Sequence, residues 1–179
     1  MFNKISTWFS SKKSSDQATN GKEIAVYAPL DGRVISLEEV SDPAFSQKML
    51  GDGMAIEPVS RKVLAPFDGK VAAIFPTKHA IGLRSLAGLE CLIHVGIDTV
   101  TLGGLGFHLL VKEGQTVKQG TPLIDLDLSV LRSSGIELVT PVVITNSECW
   151  QIKERWEQQA ISAGNEILFI AQPVGKNIF

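Results

Sequence analysis

Cysteine is scarce in this chain: Cys91 and Cys149 stand far apart, with no C-x-x-C spacing. That count excludes a disulfide scaffold and a thiolate zinc site, and leaves two thiols expected to be buried. Long apolar runs are missing too, with nothing near the ~18 residues that a membrane span needs. The opening stretch from Met1 to Ser15 lacks an apolar h-region and a small-residue cleavage site, so the chain reads as cytoplasmic. There is no excess of basic charge: 17 Lys and Arg against 19 Asp and Glu give a net charge of −2. A dedicated nucleic-acid partner is therefore not expected. No G-x-x-x-x-G-K-[ST] loop and no serine nucleophile elbow occur, which excludes unaided ATP cleavage and acyl transfer of the usual kind. Histidine, with three copies, is the scarce residue on which a function can rest.

What is present is an ordinary globular composition. Of 179 residues, 44% are hydrophobic, with 16 Gly and eight Pro, enough for one domain with a sizeable core and many turns. Residues 1–22 differ from the rest. Phe2, Ile5, Trp8 and Phe9 fall at helical spacing, and four lysines against Asp16 make the segment basic by three charges. A short amphipathic helix followed by a flexible polar linker is expected there, with residues 1–13 suited to peripheral contact with an anionic membrane. The remaining 23–179 form the functional domain.

From Ile24 onward the pattern is β. The phrase Ala28-Pro29-Leu30-Asp31-Gly32 recurs 37 positions later as Ala65-Pro66-Phe67-Asp68-Gly69, each copy between β-branched flanks. This predicts a duplicated hairpin element. Further strands are predicted at 80–83, 89–97, 107–111, 122–127, 139–145 and 167–171, separated by Gly-rich turns. Helices are predicted at 42–50, 128–133 and 149–159. The fold class is all-β, an antiparallel β-sandwich or flattened barrel with few short helices.

Within the strand at 89–97, Leu89, Cys91, Ile93, Val95 and Ile97 make one apolar face at period two. Glu90, Leu92, His94, Gly96 and Asp98 make the other, so His94 is expected to be displayed away from the core. The separations among His79, His94 and His108 do not match compact zinc motifs. A metal site assembled from separate strands stays open, and the other chemistry left is direct nucleophilic use of an imidazole. One ring nitrogen would be pinned by a carbonyl and the other aimed outward as the nucleophile.

Two segments then carry a resemblance: Pro76-Thr-Lys-His79-Ala-Ile81 and Ile93-His94-Val-Gly-Ile-Asp-Thr-Val100. Together with Gly51-Asp-Gly-Met-Ala-Ile56, Gly104-Leu-Gly-Phe107 and Leu138-Val-Thr-Pro-Val-Val-Ile-Thr-Asn146, they resemble enzyme IIA of the glucose family. That family belongs to the bacterial phosphoenolpyruvate-dependent sugar phosphotransferase system. The resemblance implies a β-sandwich in which two histidines face each other in a shallow apolar depression. It implies that His94 accepts the phosphoryl group from the phosphohistidine of HPr and passes it to a cysteine of a sugar-specific IIB domain. It also implies that His79 stabilises the phosphoryl group, that Thr77 orients His79, that the Gly96 carbonyl fixes the His94 tautomer, and that Asp98 is the acid beside the site. Free-standing members further imply a regulatory role through contacts with permeases or metabolic enzymes. No cofactor is implied.

Phe45, Met49, Leu50 and Phe75 are expected to form an exposed apolar patch for transient docking. His108 is expected at a solvated strand end without a catalytic role. Three other readings compete. The Ala-Pro-Phe-Asp-Gly and Glu113-Gly-Gln turns also look like biotinyl or lipoyl carriers, but no Met-Lys-Met stands at a hairpin tip. A contact regulator and a zinc hydrolase are the others. For the last, zinc held between His79 and His94, adventitious or shared with a partner, stays open.

Overall fold

The computed structural model describes residues 22–157 and 160–175. The predicted amphipathic helix within residues 1–13 lies outside them. In chain order the elements are β1 (Ile24–Tyr27), β2 (Gly32–Ser36), a 3-10 turn (Leu37–Glu39), α1 (Pro43–Ser46), β3 (Gly53–Pro58), β4 (Lys62–Leu64), β5 (Gly69–Ile74), β6 (Ala80–Ser85), and β7 (Glu90–His94). A second 3-10 turn (Thr99–Leu102), β8 (Phe107–Leu109), β9 (Thr116–Val117), β10 (Pro122–Leu126), α2 (Leu128–Ser133), β11 (Thr140–Ile144), β12 (Trp150–Arg155) and β13 (Ile167–Pro173) follow. Every pairing between these strands is antiparallel.

Three sheets result: a seven-stranded one in the order β2-β3-β11-β7-β6-β5-β9, and two of three strands, β1-β13-β12 and β4-β10-β8. Alternation at period two explains how they pack. Val34, Met54, Ile56, Ile81, Leu83, Cys91, Ile93, Val142 and Ile144 point from the large sheet into a main core. That core also takes Val26, Leu168 and Phe169 from one small sheet, and Val63, Ile124 and Phe107 from the other. The intervening residues Ile35, Ala55, Ala80, Leu92 and Val143 point to the opposite face, where they meet Leu37, Val40 and Phe45 in a second apolar cluster. The β-sandwich expectation holds, and the central strands β11, β7 and β6 of the large sheet are buried on both faces.

The repeated phrase has a structural reason. In each copy the chain leaves a small sheet and enters the large one, β1 to β2 and β4 to β5; the strands flanking each turn pair with other partners. The duplicated element is thus a sheet-to-sheet corner where the sequence suggested a hairpin. The two corners hold each other reciprocally: Tyr27 N–H donates to the Pro66 carbonyl at 2.9 Å, and Leu64 N–H, 37 positions after Tyr27, donates to the Pro29 carbonyl at 2.8 Å. The aspartates do the same task twice, Asp31 accepting the Ala163 N–H and Asp68 the Gln119 N–H, each at 2.8 Å. Both glycines lie where a side chain cannot. A Cβ at Gly32 would stand 2.1 Å from the Glu57 carbonyl oxygen, and one at Gly69 2.3 Å from that of Arg84.

The helix predicted at 128–133 is present as α2, while the one at 42–50 shortens to the single turn α1. The helix predicted at 149–159 is instead strand β12 over Trp150–Arg155, hydrogen-bonded to β13 with Trp150 opposite Pro173 and Ile152 opposite Ala171. Trp150 and Ile152 alternate with Gln151 and Lys153, so this edge strand puts one apolar side inward and a charged side outward. Cys91 is buried as expected; Cys149 is exposed, which corrects the expectation of two buried thiols.

Candidate functional site

The two histidines reach one place because β6 and β7 are neighbours in the large sheet. Ala80 lies opposite His94, and one residue beyond the ladder Val95 N–H donates to the His79 carbonyl at 2.8 Å. His79 is delivered by a tight turn: Phe75, Pro76, Thr77 and Lys78 close with Lys78 N–H on the Phe75 carbonyl at 2.7 Å, Pro76 at the second position and Lys78 left-handed at φ 60°. His94 is the last residue of β7. After it the chain reverses at Gly96, φ 72°, where a Cβ would lie 2.5 Å from Thr99 Cγ2 and 2.9 Å from the Glu137 carbonyl oxygen. Glycine is required there by both conformation and space.

That reversal brings the Gly96 carbonyl oxygen to 2.8 Å from His94 Nδ1. A carbonyl can only accept, so Nδ1 carries the proton and Nε2 presents a lone pair. Thr77 Oγ1 lies 2.6 Å from His79 Nδ1, fixing the second ring from the same side of its own chain. The two imidazoles stand edge to face, ring centres 4.7 Å apart and planes at 79°. Phe45 packs 5.1 Å from the His94 ring, and Phe75 6.0 Å from the His79 ring.

Neither imidazole is displayed in the way the strand pattern suggested. His79 is 4% and His94 8% exposed, because the face carrying His94 is covered by the second apolar cluster. Desolvation follows. Burial, together with the neighbouring His94, pushes the His79 pKa down to about 4. Burial also lowers that of His94, against opposing pulls from the Gly96 carbonyl and the carboxylates of Asp42 and Asp98. Both rings are neutral at pH 7, the form in which a ring nitrogen can act as a nucleophile.

Thr77 is in contact with His79 and the Gly96 carbonyl with His94, while Asp98, two residues after Gly96, is exposed and left-handed at φ 57°. Asp42 was missed. It is the N-cap of α1, accepting the Ala44 N–H at 2.8 Å, and its charge bears on His94 ahead of that of Asp98. Its signal was present as Asp42-Pro43, a helix start, which says nothing of a partner 52 positions on. Of the four residues expected to form an exposed patch, Phe45 is buried at 2% exposure, a correction that follows from its place in the second cluster. Met49 is 66% exposed, while Leu50 and Phe75 are half-buried against that cluster. His108 is exposed on β8 opposite Asp125, away from the imidazole pair in sheet order. Among the described residues no group of three or more His, Cys, Asp and Glu could hold a metal ion. No helix among them is long and apolar enough to cross a membrane.

Residues 24–149 match the family model described as phosphoenolpyruvate-dependent sugar phosphotransferase system, EIIA 1. A PTS system glucose-specific EIIA component from Halalkalibacterium halodurans is 42% identical over 157 residues, 88% of this chain and 91% of that protein. One of the same description from Staphylococcus epidermidis is 43% identical over 143 residues, 80% of this chain and 86% of that protein. Among solved structures, the glucose permease IIA of Mycoplasma capricolum superposes with a TM-score of 0.77 at 36% identity. It covers 87% of this chain and 99% of its own.

Proposed function

Because the chain belongs to the EIIA 1 family of the phosphoenolpyruvate-dependent sugar phosphotransferase system, we propose that it carries a phosphoryl group on His94 Nε2. The donor is the phosphohistidine of HPr and the acceptor a cysteine of a sugar-specific IIB domain, all in the cytoplasm. In the first step the N–P bond of phospho-HPr breaks, its imidazole leaves with the electron pair, and a bond forms from His94 Nε2 to phosphorus. In the second, the IIB thiolate displaces His94 from phosphorus, and the Nε2 lone pair is restored.

The observation that carries this reading is the Gly96 carbonyl on His94 Nδ1 at 2.8 Å, beside a second imidazole at 4.7 Å between ring centres. It leaves one nitrogen, Nε2, as the nucleophile and holds it in place before a partner arrives. Phosphoryl transfer asks for positioning and charge stabilisation more than for covalent machinery. With the Thr77 hydroxyl donating to His79 Nδ1, His79 Nε2–H is a donor for the phosphoryl oxygens, supplying that stabilisation from a fixed imidazole.

Label followed from phosphoenolpyruvate through Enzyme I and HPr tests the reading. The wild-type chain becomes labelled on an acid-labile, alkali-stable bond, and His94→Ala takes up none. His79→Gln accepts label but passes it to IIB poorly. Labelling that survives His94→Ala overturns the assignment. A second role as a contact regulator of permeases or metabolic enzymes is favoured by exposed Met49, which follows the α1 turn that packs on His94. Phosphorylation puts about −1.5 to −2 charges beside that apolar surface, releasing partners that need it bare.

A further inference from the structure

The carbonyl that selects the nucleophile belongs to a buried loop peptide, and its neighbours decide where it points. In the trans peptide between Gly96 and Ile97, the carbonyl and the N–H face opposite ways. The Ile97 N–H donates to the main-chain carbonyl of Glu137 at 2.8 Å, which turns the Gly96 carbonyl to the other side, onto His94 Nδ1. One peptide earlier, the Thr99 hydroxyl donates to the Val95 carbonyl at 2.7 Å. Both planes that meet at Gly96 are therefore held, the first by Thr99 and the second by Glu137.

Thr99 opens the second 3-10 turn and is completely buried, at 0% exposure. A hydroxyl buried this deeply is costly unless bonded, and its bond goes to the residue just before Gly96. The methyl Cγ2 fills the space beside Gly96, 2.5 Å from where a Cβ would stand. Thr101, two residues on, differs: it is exposed, and its hydroxyl donates to the Asp98 carbonyl at 2.8 Å, away from Gly96 in the chain.

We propose that Thr99 is a positioning residue for phosphoryl transfer: by holding the Val95 carbonyl, its hydroxyl keeps the Gly96 carbonyl on His94 Nδ1 and leaves Nε2 bare. The proposal rests on the carrier reading above. Without that bond the Val95–Gly96 peptide is free to rotate, since Gly96 has no Cβ to limit it. The Gly96 carbonyl then leaves Nδ1, and the neutral ring can carry its proton on Nε2, where no lone pair is left to attack. As Nε2 bonds phosphorus the ring gains positive charge, so the Nδ1–H bond to Gly96 tightens toward the transition state. Loss of the anchor is felt in the rate as well as in the resting ring.

The test is histidine-15N NMR of the unphosphorylated full-length chain at neutral pH, paired with the initial rate of phosphoryl uptake from phospho-HPr. In wild type, His94 shows Nδ1 protonated and Nε2 bare. Thr99→Val keeps the shape and loses the hydroxyl; the ratio of the Nδ1–H to the Nε2–H form and the uptake rate each fall by about two- to tenfold, the range of one hydrogen bond. Thr99→Ser keeps the hydroxyl and loses the methyl, so its urea midpoint drops while ring and uptake stay near wild type. Thr101→Val removes a bond of the same kind from the same turn and changes neither. An unshifted ring in Thr99→Val overturns the role of Thr99, as does a Thr101→Val that shifts the ring equally. If the valine variant does not fold, Thr99→Ser decides, and a shifted ring in it rules out the hydroxyl. If wild type takes no phosphoryl group from HPr, the carrier reading falls and the positioning role with it; wild-type uptake with an unchanged Thr99→Val removes Thr99 alone.

Discussion

His79 sets the clearest expectation for a single residue. Its pKa in the folded chain is about 4 against an ordinary 6.5, so as pH falls the unfolded chain takes up this proton first. Stability is full above pH 6.5 and declines between 6.5 and about 4, by about tenfold in the folding equilibrium constant per pH unit for one proton. His94, lowered in the same direction, adds to the decline. Urea unfolding at a series of pH values checks this. His79→Gln, which cannot take the proton, should flatten the slope, and a slope unchanged by that substitution contradicts the burial argument. The two histidines were legible in the sequence because a period-two strand and a short preceding motif survive as local patterns. Asp42 was not, because its effect on His94 crosses from a loop to a strand end through space. The burial of Phe45 was hidden for a related reason: alternation names two faces of a strand but cannot say that a loop folds back over the second one.

At the scale of elements, the duplicated corner is the part most open to test. Gly32 and Gly69 occupy equivalent positions, each against a carbonyl oxygen of the adjacent strand at little more than 2 Å from where a Cβ would be. Gly32→Ala and Gly69→Ala should each destabilise the chain by about 3 kcal/mol or more, since backbone rather than a side-chain tip must give way. Urea midpoints measure it, and a wild-type midpoint in either variant would refute the equivalence. The repeat itself was plain in the sequence, but its use was not, because an Asp-Gly turn between β-branched flanks serves a hairpin and a sheet-crossing corner alike. Pairing partners tens of residues away decide between them. The same holds for β12. Trp150-Gln-Ile-Lys-Glu-Arg155 carries residues acceptable to helix or strand, and the free edge of β13 selects the strand.

For the molecule as a whole, the sandwich places a dry, neutral pair of imidazoles at one end of two central strands, and an exposed apolar residue follows the α1 turn that packs on His94. Met49, at 66% exposure, contributes nothing visible to the core. Met49→Asp should leave thermal stability close to wild type and lower kcat/KM for transfer from phospho-HPr by about tenfold, mainly through KM. Such a change would place a charge where a transient partner needs apolar contact. Unaltered transfer kinetics would remove Met49 from the docking surface. The fold class and the family could be read from short motifs because those motifs are the turns and strand ends that build the site. The electrostatic setting of the site could not, since it is assembled from segments around residues 42 and 98.

In the proposed transfer one nitrogen of one histidine, chosen by a backbone carbonyl, carries the phosphoryl group. Phosphorus–nitrogen couplings measured by NMR on the histidine-15N-labelled, phosphorylated full chain test it most directly. Phosphorus is expected on Nε2 of His94, with Nδ1 still protonated and hydrogen-bonded to the Gly96 carbonyl. Phosphorus on Nδ1 of His94, or on His79 or His108, would contradict it.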